Sequence, residues 1–381
     1  MRIAIVHHWF VSRGGGERVA EVLAGMYPTA DLFALVVDPD KLPPSLCNHA
    51  LRTSFINRLP FSNRVYRHLL PLYPSAIERL DVRGYDLVLT SDSGPMKGVQ
   101  VSPSAVHICY CHSPMRYLWD QYQHYRRSLG PLPRVAFSLS ANYVRRWDQR
   151  AAQRVTHFVA NSRYVAARIF RYYGRESVVI HPPVDTTAGY VASVPGGGYL
   201  TVGRLVPYKR IDLLIEACNL LGRELRIIGT GPEESRLRAQ AGGTIKFLGN
   251  VGETSLWHEY ANCRAFLFAA EEDFGMAVVE AQACGRPVIA FGKGGALETV
   301  VGSGRGLSLQ KDTGLLFSHQ TPESVADAIL RFEASEYRFQ PNVIRRHAAN
   351  FSIEAFCSQF QDLVDRAVGN PSSLREREVC L

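Results

Sequence analysis

Through the second half of the chain one pattern recurs: a short β-rich run, a turn with glycine, then a segment with helical spacing. The runs are Tyr199–Gly203, Leu225–Gly229, Ile245–Gly249, Ala265–Ala269 and Pro287–Phe291. Between them Ile211, Leu214, Ile215 and Cys218 share one helical face, as do Ala277, Val278 and Ala281. Short buried strands alternating with helices predict βαβ units in a parallel sheet. The first half carries the same signal with longer insertions, at Arg2–His7, Asp31–Val37, Asp86–Thr90, Val106–Cys111, Val155–Ala160 and Val178–His181.

A chain of 381 residues exceeds the about 250–300 at which one core divides, so two doubly wound, Rossmann-like domains are expected. The segment Val191–Tyr199 is small, glycine-rich and uncharged. It marks the linker, giving a first domain over 1–190, a linker over 191–198 and a second domain over 199–350. Thr321 followed by Pro322 predicts a helix start. In the last segment, 351–381, Ile353, Phe356, Phe360, Leu363, Val364 and Ala367 line one helical face that must be buried, and the tail from Pro371 is expected to fray.

No stretch approaches the about 20 apolar residues of a membrane span, and the opening MRIAIVHHWF is too short and too polar at its end for a signal peptide, so a cytoplasmic location is expected. The eight cysteines, Cys380 among them, are scattered without zinc-type spacing and read as reduced thiols, mostly buried. Charge is unevenly placed. Residues 1–190 carry 23 Lys and Arg against 13 Asp and Glu, whereas 191–381 carry 20 against 22, so an anionic partner is expected on the first half.

In doubly wound sheets ligands gather at the carboxyl ends of the strands, here expected to form the two walls of one cleft. Ser12-Arg13-Gly14-Gly15-Gly16-Glu17-Arg18 follows the first strand and opens a helix, where Gly15 and Gly16 allow backbone N–H groups to approach an anion; a plain strand-to-helix turn is the alternative. Gly203 begins a turn that brings Arg204 and Lys209 beside a helix start, a pairing suited to a diphosphate. Glu272 and Glu280 stand eight apart with Phe274-Gly275 between them, which places one carboxylate on a loop and the other inside the following helix. Such a pair can hold ribose and sugar hydroxyls on either side of a diphosphate. His112 follows the run VHICYC, at a carboxyl end of the first-half sheet, and is a candidate for substrate contact. Asp273-Phe274-Gly275 spells a kinase metal motif but lacks its companions, and Asp38-Pro39-Asp40 reads as a turn.

Together these segments resemble the GT-B glycosyltransferases, and within them retaining family 4, whose mark is E-x7-E. The likeness spans GGGER, CHSPMRYLW (Cys111–Trp119), ANSRYVAARI (Ala160–Ile169), HPPVD, GRLVPYK, EEDFGMAVVEAQACGRPVIA and GKGGALE. It implies a nucleotide-sugar donor on the second domain and an acceptor on the first. Arg204 and Lys209 would hold the diphosphate, Glu280 the ribose and Glu272 the donor sugar, with Phe274, Gly275, Gly203, Gly15 and Gly16 contributing backbone contacts. His112 would lie beside the reacting sugar, and the last helix would pack back on the first domain. The block CHSPMRYLWDQY with the acidic segment is most similar to bacterial mannosyltransferases that use GDP-mannose to build exopolysaccharide or O-antigen units on polyprenyl-diphosphate carriers.

With no evident carboxylate nucleophile, the expected route is front-face attack with retention, the departing β-phosphate taking the acceptor's proton. No cofactor or metal is required if Arg204, Lys209 and helix dipoles neutralise the leaving group. Alternatives are a UDP-sugar donor, a nucleotide-sugar epimerase, or a non-catalytic anion-binding or nucleic-acid-binding protein, though nucleic acid is not the expected partner. From Arg116 to Arg154, eight arginines face only Asp120 and Asp148 and interleave with Tyr117 and Trp119 among other aromatics. Arg116, Tyr117 and Trp119 are therefore candidates for contact with the acceptor and with the inner, anionic face of the cytoplasmic membrane. Aromatics that simply fill the core are the alternative.

Overall fold

The computed structural model describes residues 1–12, 14–193, 196–302 and 312–369. Arg13, part of the predicted linker and the tail with Cys380 lie outside the described residues. The chain divides into two units, Met1–Pro183 with Phe356–Leu381, and Val184–Ala355. The division falls ahead of residue 190 because Val184–Tyr190 is tied to the second unit. Val184 N–H donates to Phe351 O (3.0 Å), and a Cβ on Gly189 would stand 2.9 Å from the Ala283 backbone.

The first unit is a sheet of seven parallel strands: β1 (Ile3–Phe10), β2 (Asp31–Val37), β3 (Leu51–Thr53), β4 (Leu87–Asp92), β5 (Val106–Cys111), β6 (His157–Ala160) and β7 (Val178–Val179). Their order is β3-β2-β1-β4-β5-β6-β7. Because β1 lies between β2 and β4, the chain reverses its direction of winding there, and the loops after β1 and β4 part to leave a crevice. The last helix, Ile353–Gly369, buries Phe356, Phe360, Leu363, Val364 and Ala367 among side chains of β1, β2, β5 and the helix Gly15–Met26. Tyr110 meets Phe356 edge-on with centroids 5.6 Å apart.

The second unit has six parallel strands: β8 (Tyr199–Val202), β9 (Leu225–Ile228), β10 (Ile245–Gly249), β11 (Phe266–Phe268), β12 (Val288–Phe291) and β13 (Gly314–Phe317). Their order is β10-β9-β8-β11-β12-β13, with the crevice between β8 and β11. Ile211, Leu214, Ile215 and Cys218 are all buried on the helix Ile211–Leu221, as the spacing requires. Thr321 caps the helix Pro322–Ser335 by accepting from Ser324 N. Asp38 likewise accepts from Asp40 N and closes a turn. Of the seven described cysteines five are buried: Cys109, Cys111, Cys218, Cys263 and Cys284.

The first unit also buries charge. Lys97, Asp92 and Asp148 are fully buried, with Lys97 Nζ 2.6 Å from Asp148 Oδ1 and 3.2 Å from Asp92 Oδ2. Burial works against the ammonium, but Asp148 and Asp92 outweigh it and hold it charged. Asp148 also accepts from Trp119 Nε1 (3.0 Å) and Tyr173 Oη (2.8 Å), and Asp92 accepts from Gly94 N and Met96 N, both at 2.9 Å. Removing the cation leaves two carboxylates buried together. Lys97→Met should therefore destabilise the first unit by about 3–5 kcal/mol in urea unfolding followed by tryptophan fluorescence, and a loss under about 1 kcal/mol would contradict this account.

Candidate active site

In the second unit the loops after β8 and β11 border the crevice, and the first of them is fixed by backbone packing on the loop after β9. Gly203 N–H donates to Ile228 O (2.9 Å), and a Cβ on Gly229 would stand 2.0 Å from Gly203 O. Gly231 abuts Leu205 in the same way. A Cβ at Gly203 would reach Lys209 Nζ at 3.3 Å, so the bare backbone leaves a lane for the lysine. Lys209 follows that lane to an ion pair with Glu272 and lies 5.7 Å over the Phe268 ring. Burial opposes its charge, while Glu272 beside it, and to a smaller extent Tyr208 and Glu280, hold its pKa above the ordinary value. Arg210 then turns into the left-handed region (φ 51°), a strained conformation for a side chain of this size, before the helix Ile211–Leu221 begins. Arg204 is exposed at the same turn.

After β11 the acidic segment reaches Gly275, whose φ of 88° starts the helix Met276–Ala283. Phe274 is buried and packs edge-on against Phe351. Glu280, inside the helix, accepts a hydrogen bond from Tyr260 Oη at 2.8 Å. Tyr260 belongs to the helix Glu253–Asn262 and has no motif around it, so sequence inspection missed it. A second glycine pair locks the loop from below: Gly295 N–H donates to Glu272 O (2.9 Å), and a Cβ there would stand 2.3 Å from Phe274 Cα. Thus Gly203, Lys209, Glu272, Phe274, Gly275 and Glu280 gather in one region, with Arg204 on the same turn.

The first unit brings together a different set. His112 follows β5, and its Nε2 lies 2.8 Å from Ser91 Oγ. His7 Nδ1 lies 3.0 Å from the same oxygen, and Ser93 Oγ is 3.1 Å from His8 Nε2. Gly15 and Gly16 open the helix Gly15–Met26 with no positive φ; what Gly16 provides is closeness, its Cβ position lying 3.5 Å from the His8 ring and 3.7 Å from His112 Nε2. Glu17 is buried, and burial raises its pKa.

The remaining candidates are arranged otherwise. Trp119 stacks on Tyr172 (4.9 Å) and donates to the buried Asp148, and Tyr117 packs against the first-unit core. Both are engaged in packing, the indole N–H donating to Asp148 and the Tyr117 hydroxyl facing the Met115 sulfur at 3.1 Å. Arg116 pairs with Asp120 at 3.2 Å. Apolar exposure falls instead on Leu132, Val135, Leu139 and Tyr143 of the helix Pro131–Gln153, one stripe at helical spacing. No cluster of His, Cys, Asp and Glu among the described residues is placed to hold a metal ion.

Residues 13–188 match the family described as Glycosyltransferase Family 4, and residues 197–334 match Glycosyl transferases group 1. The two matches lie side by side, one on each unit, and the fold is the GT-B glycosyltransferase fold of this group 1 and family 4 type. A D-inositol 3-phosphate glycosyltransferase 2 from Catenulispora acidiphila is 28% identical over 272 residues, covering 61% of each chain. The Mycobacterium bovis D-inositol 3-phosphate glycosyltransferase is 29% identical over 261 residues, covering 60% of this chain and 52% of its own. The matched region thus spans only about half to three fifths of those relatives. Two solved structures share the fold: Anabaena HepE in complex with UDP-glucose (TM-score 0.69, 17% identity, 96% of this chain and 100% of that one) and sucrose-phosphate synthase from Thermosynechococcus elongatus (0.69, 18%, 97% and 100%).

The glycine contacts make a direct prediction. Gly295→Ala should cost the second unit about 1–3 kcal/mol, since the new methyl meets backbone that cannot rotate away. Gly197→Ala, which meets nothing within 4 Å, should stay within about 0.5 kcal/mol. Equal unfolding midpoints for the two variants would refute the interlock.

Proposed function

We propose that the chain is a retaining glycosyltransferase that moves mannose from GDP-mannose onto a polyprenyl-diphosphate-linked saccharide in bacterial polysaccharide assembly. The observation that carries the chemistry is the Lys209–Glu272 pair, with Glu280 beside it, at the crevice of the second unit. A diphosphate entering there takes Lys209 away from Glu272, and the released carboxylate is free to accept from sugar hydroxyls. Arg204 adds the second cation, the Phe274–Gly275 backbone caps the phosphates, and Glu280, steadied by Tyr260, receives the ribose hydroxyls. Charge growing on the leaving phosphate is met by groups already in position. The acceptor hydroxyl attacks from the side the phosphate leaves, and its proton passes to that phosphate. Arg204 and Lys209 supply the positive charge, so no metal is needed.

The mannose assignment rests on the CHSPMRYLWDQY likeness alone. A UDP-sugar donor is the second reading, favoured by the UDP-glucose bound in the HepE structure. The test is transfer of label from GDP-mannose and from UDP-sugars to a mixture of lipid-linked saccharides and inositol phosphate. An α-mannoside is the expected product. Transfer from a UDP-sugar alone would overturn the donor, an altered sugar nucleotide without transfer would indicate an epimerase, and no turnover would leave a binding protein.

Arg204→Ala and Lys209→Ala should each lower kcat/KM at least about a hundredfold, roughly 2.7 kcal/mol of lost transition-state stabilisation. EDTA should change donor affinity less than about tenfold in calorimetry. Near-normal turnover in both variants would show that the diphosphate binds elsewhere.

The exposed stripe Leu132, Val135, Leu139 and Tyr143 runs into Arg146 and Arg150 on the same helix, and Phe61 is exposed on the same unit. We assign this face to reversible attachment at an anionic membrane surface, where a lipid-linked acceptor resides. Wild-type protein should co-sediment with vesicles containing anionic lipid at low salt and be released at high salt, and Leu132→Asp with Leu139→Asp should abolish this. Equal recovery on neutral vesicles would contradict it.

A further inference from the structure

We propose that Ser91 is a positioning residue for His112, and that a His7–Ser91–His112 hydrogen-bond chain fixes the proton of His112 on Nδ1, as a donor toward substrate. Only the identity of that substrate rests on the glycosyltransferase reading; the hydrogen-bond chain stands apart from it.

The register of β1 on β4 pairs His7 with Ser91, so the serine reaches one histidine from its neighbouring strand and the other from the end of β5. Ser91 Oγ lies 3.0 Å from His7 Nδ1 and 2.8 Å from His112 Nε2. A hydroxyl has one proton and two lone pairs, and since Ser91 Oγ meets no other acceptor for its proton among the described residues, it donates to one neutral imidazole and accepts from the other. The rings are neutral: burial, with help from His8 and His112, lowers His7 well below its ordinary pKa, and burial brings His112, with His8 adding, to about 3.

Two arrangements remain. In the first, His7 Nδ1–H donates to Ser91, Ser91 donates to His112 Nε2, and His112 carries its proton on Nδ1. In the second, the chain runs backwards and His7 carries its proton on Nε2. That nitrogen is buried, in a residue only 1% exposed, and meets no hydrogen-bond partner among the described residues. A buried N–H without an acceptor is the rarer and costlier defect, so the first arrangement prevails.

His8 does not disturb the chain. Its Nδ1 faces the Ser91 carbonyl at 3.4 Å, which can only accept, and the Ser93 hydroxyl donates to its Nε2. The backbone of His112 is pinned by its N–H on Asp92 O (2.8 Å) and by Asn161 Nδ2 donating to its carbonyl (3.0 Å). Nδ1 is the ring atom these contacts leave unused, on a residue that stays partly exposed. His112 then donates to a sugar hydroxyl or ring oxygen and cannot remove a proton at that atom, in keeping with a phosphate that does.

The test is long-range proton–nitrogen NMR on the full chain labelled with 15N-histidine near neutral pH, with His7→Asn and His112→Asn assigning the signals. His112 should show a protonated Nδ1 and a bare Nε2. Ser91→Ala should scramble the two, and Ser91→Thr should restore them. With turnover, Ser91→Ala should lower kcat about tenfold at unchanged donor KM, with Ser91→Thr recovering most of it. A proton on His112 Nε2 in the wild type, or nitrogen signals unmoved by Ser91→Ala, would overturn the proposal. Should no sugar nucleotide be turned over, the enzymatic reading fails while the nitrogen signals still decide the tautomer.

Discussion

The site in the second unit depends on backbone touching backbone where parallel strands end. Parallel strands deliver their loops to one edge, and at the point where winding reverses the loops after β8 and β11 part to leave the crevice. Glycine packs each of them on the loop of its outer neighbour: Gly229 and Gly231 after β9 lie against Gly203 and Leu205, and Gly294 and Gly295 after β12 lie against Glu272 and Phe274. These contacts leave no freedom for the turns that carry Lys209 and Glu272. Two oppositely charged side chains are thereby held together in a partly buried place, where charge interactions are stronger than at an open surface.

The first unit uses a different device for the same purpose. Its carboxyl edge is built from side-chain hydrogen bonds, with Ser91 and Ser93 holding histidines and Asp92 holding the turn that follows β4. The buried Lys97 joins that turn to Asp148 on the helix Pro131–Gln153, so the same ion cluster that stabilises the core also anchors Trp119. Structural and functional demands meet in adjacent residues, Ser91 and Asp92.

Much of this was readable from the sequence because both signals are local. Runs dominated by apolar residues locate β2, β5 and β10 to the residue, and the motifs sit directly after strands, where the topology needs them. Two strands escaped. In β3, Leu51–Thr53, an exposed arginine interrupts three residues at the sheet edge, and β13, Gly314–Phe317, runs into Ser318-His319-Gln320 without the glycine turn that marks most of the others. Ser91, His7 and Tyr260 were invisible for another reason: what joins them to their partners is strand register and helix packing, which no spacing in the chain encodes. The same limit applies to Tyr117 and Trp119, since an aromatic among arginines looks alike whether it faces lipid or the core.

The central claim is that the second unit holds the diphosphate of a sugar nucleotide between Arg204 and Lys209. The most direct measurement is a crystal structure with a bound nucleoside diphosphate sugar. The account predicts both cations within hydrogen-bonding distance of phosphate oxygens, Lys209 parted from Glu272, and the ribose hydroxyls on Glu280. A nucleotide bound elsewhere, with the Lys209–Glu272 pair still closed, would contradict it.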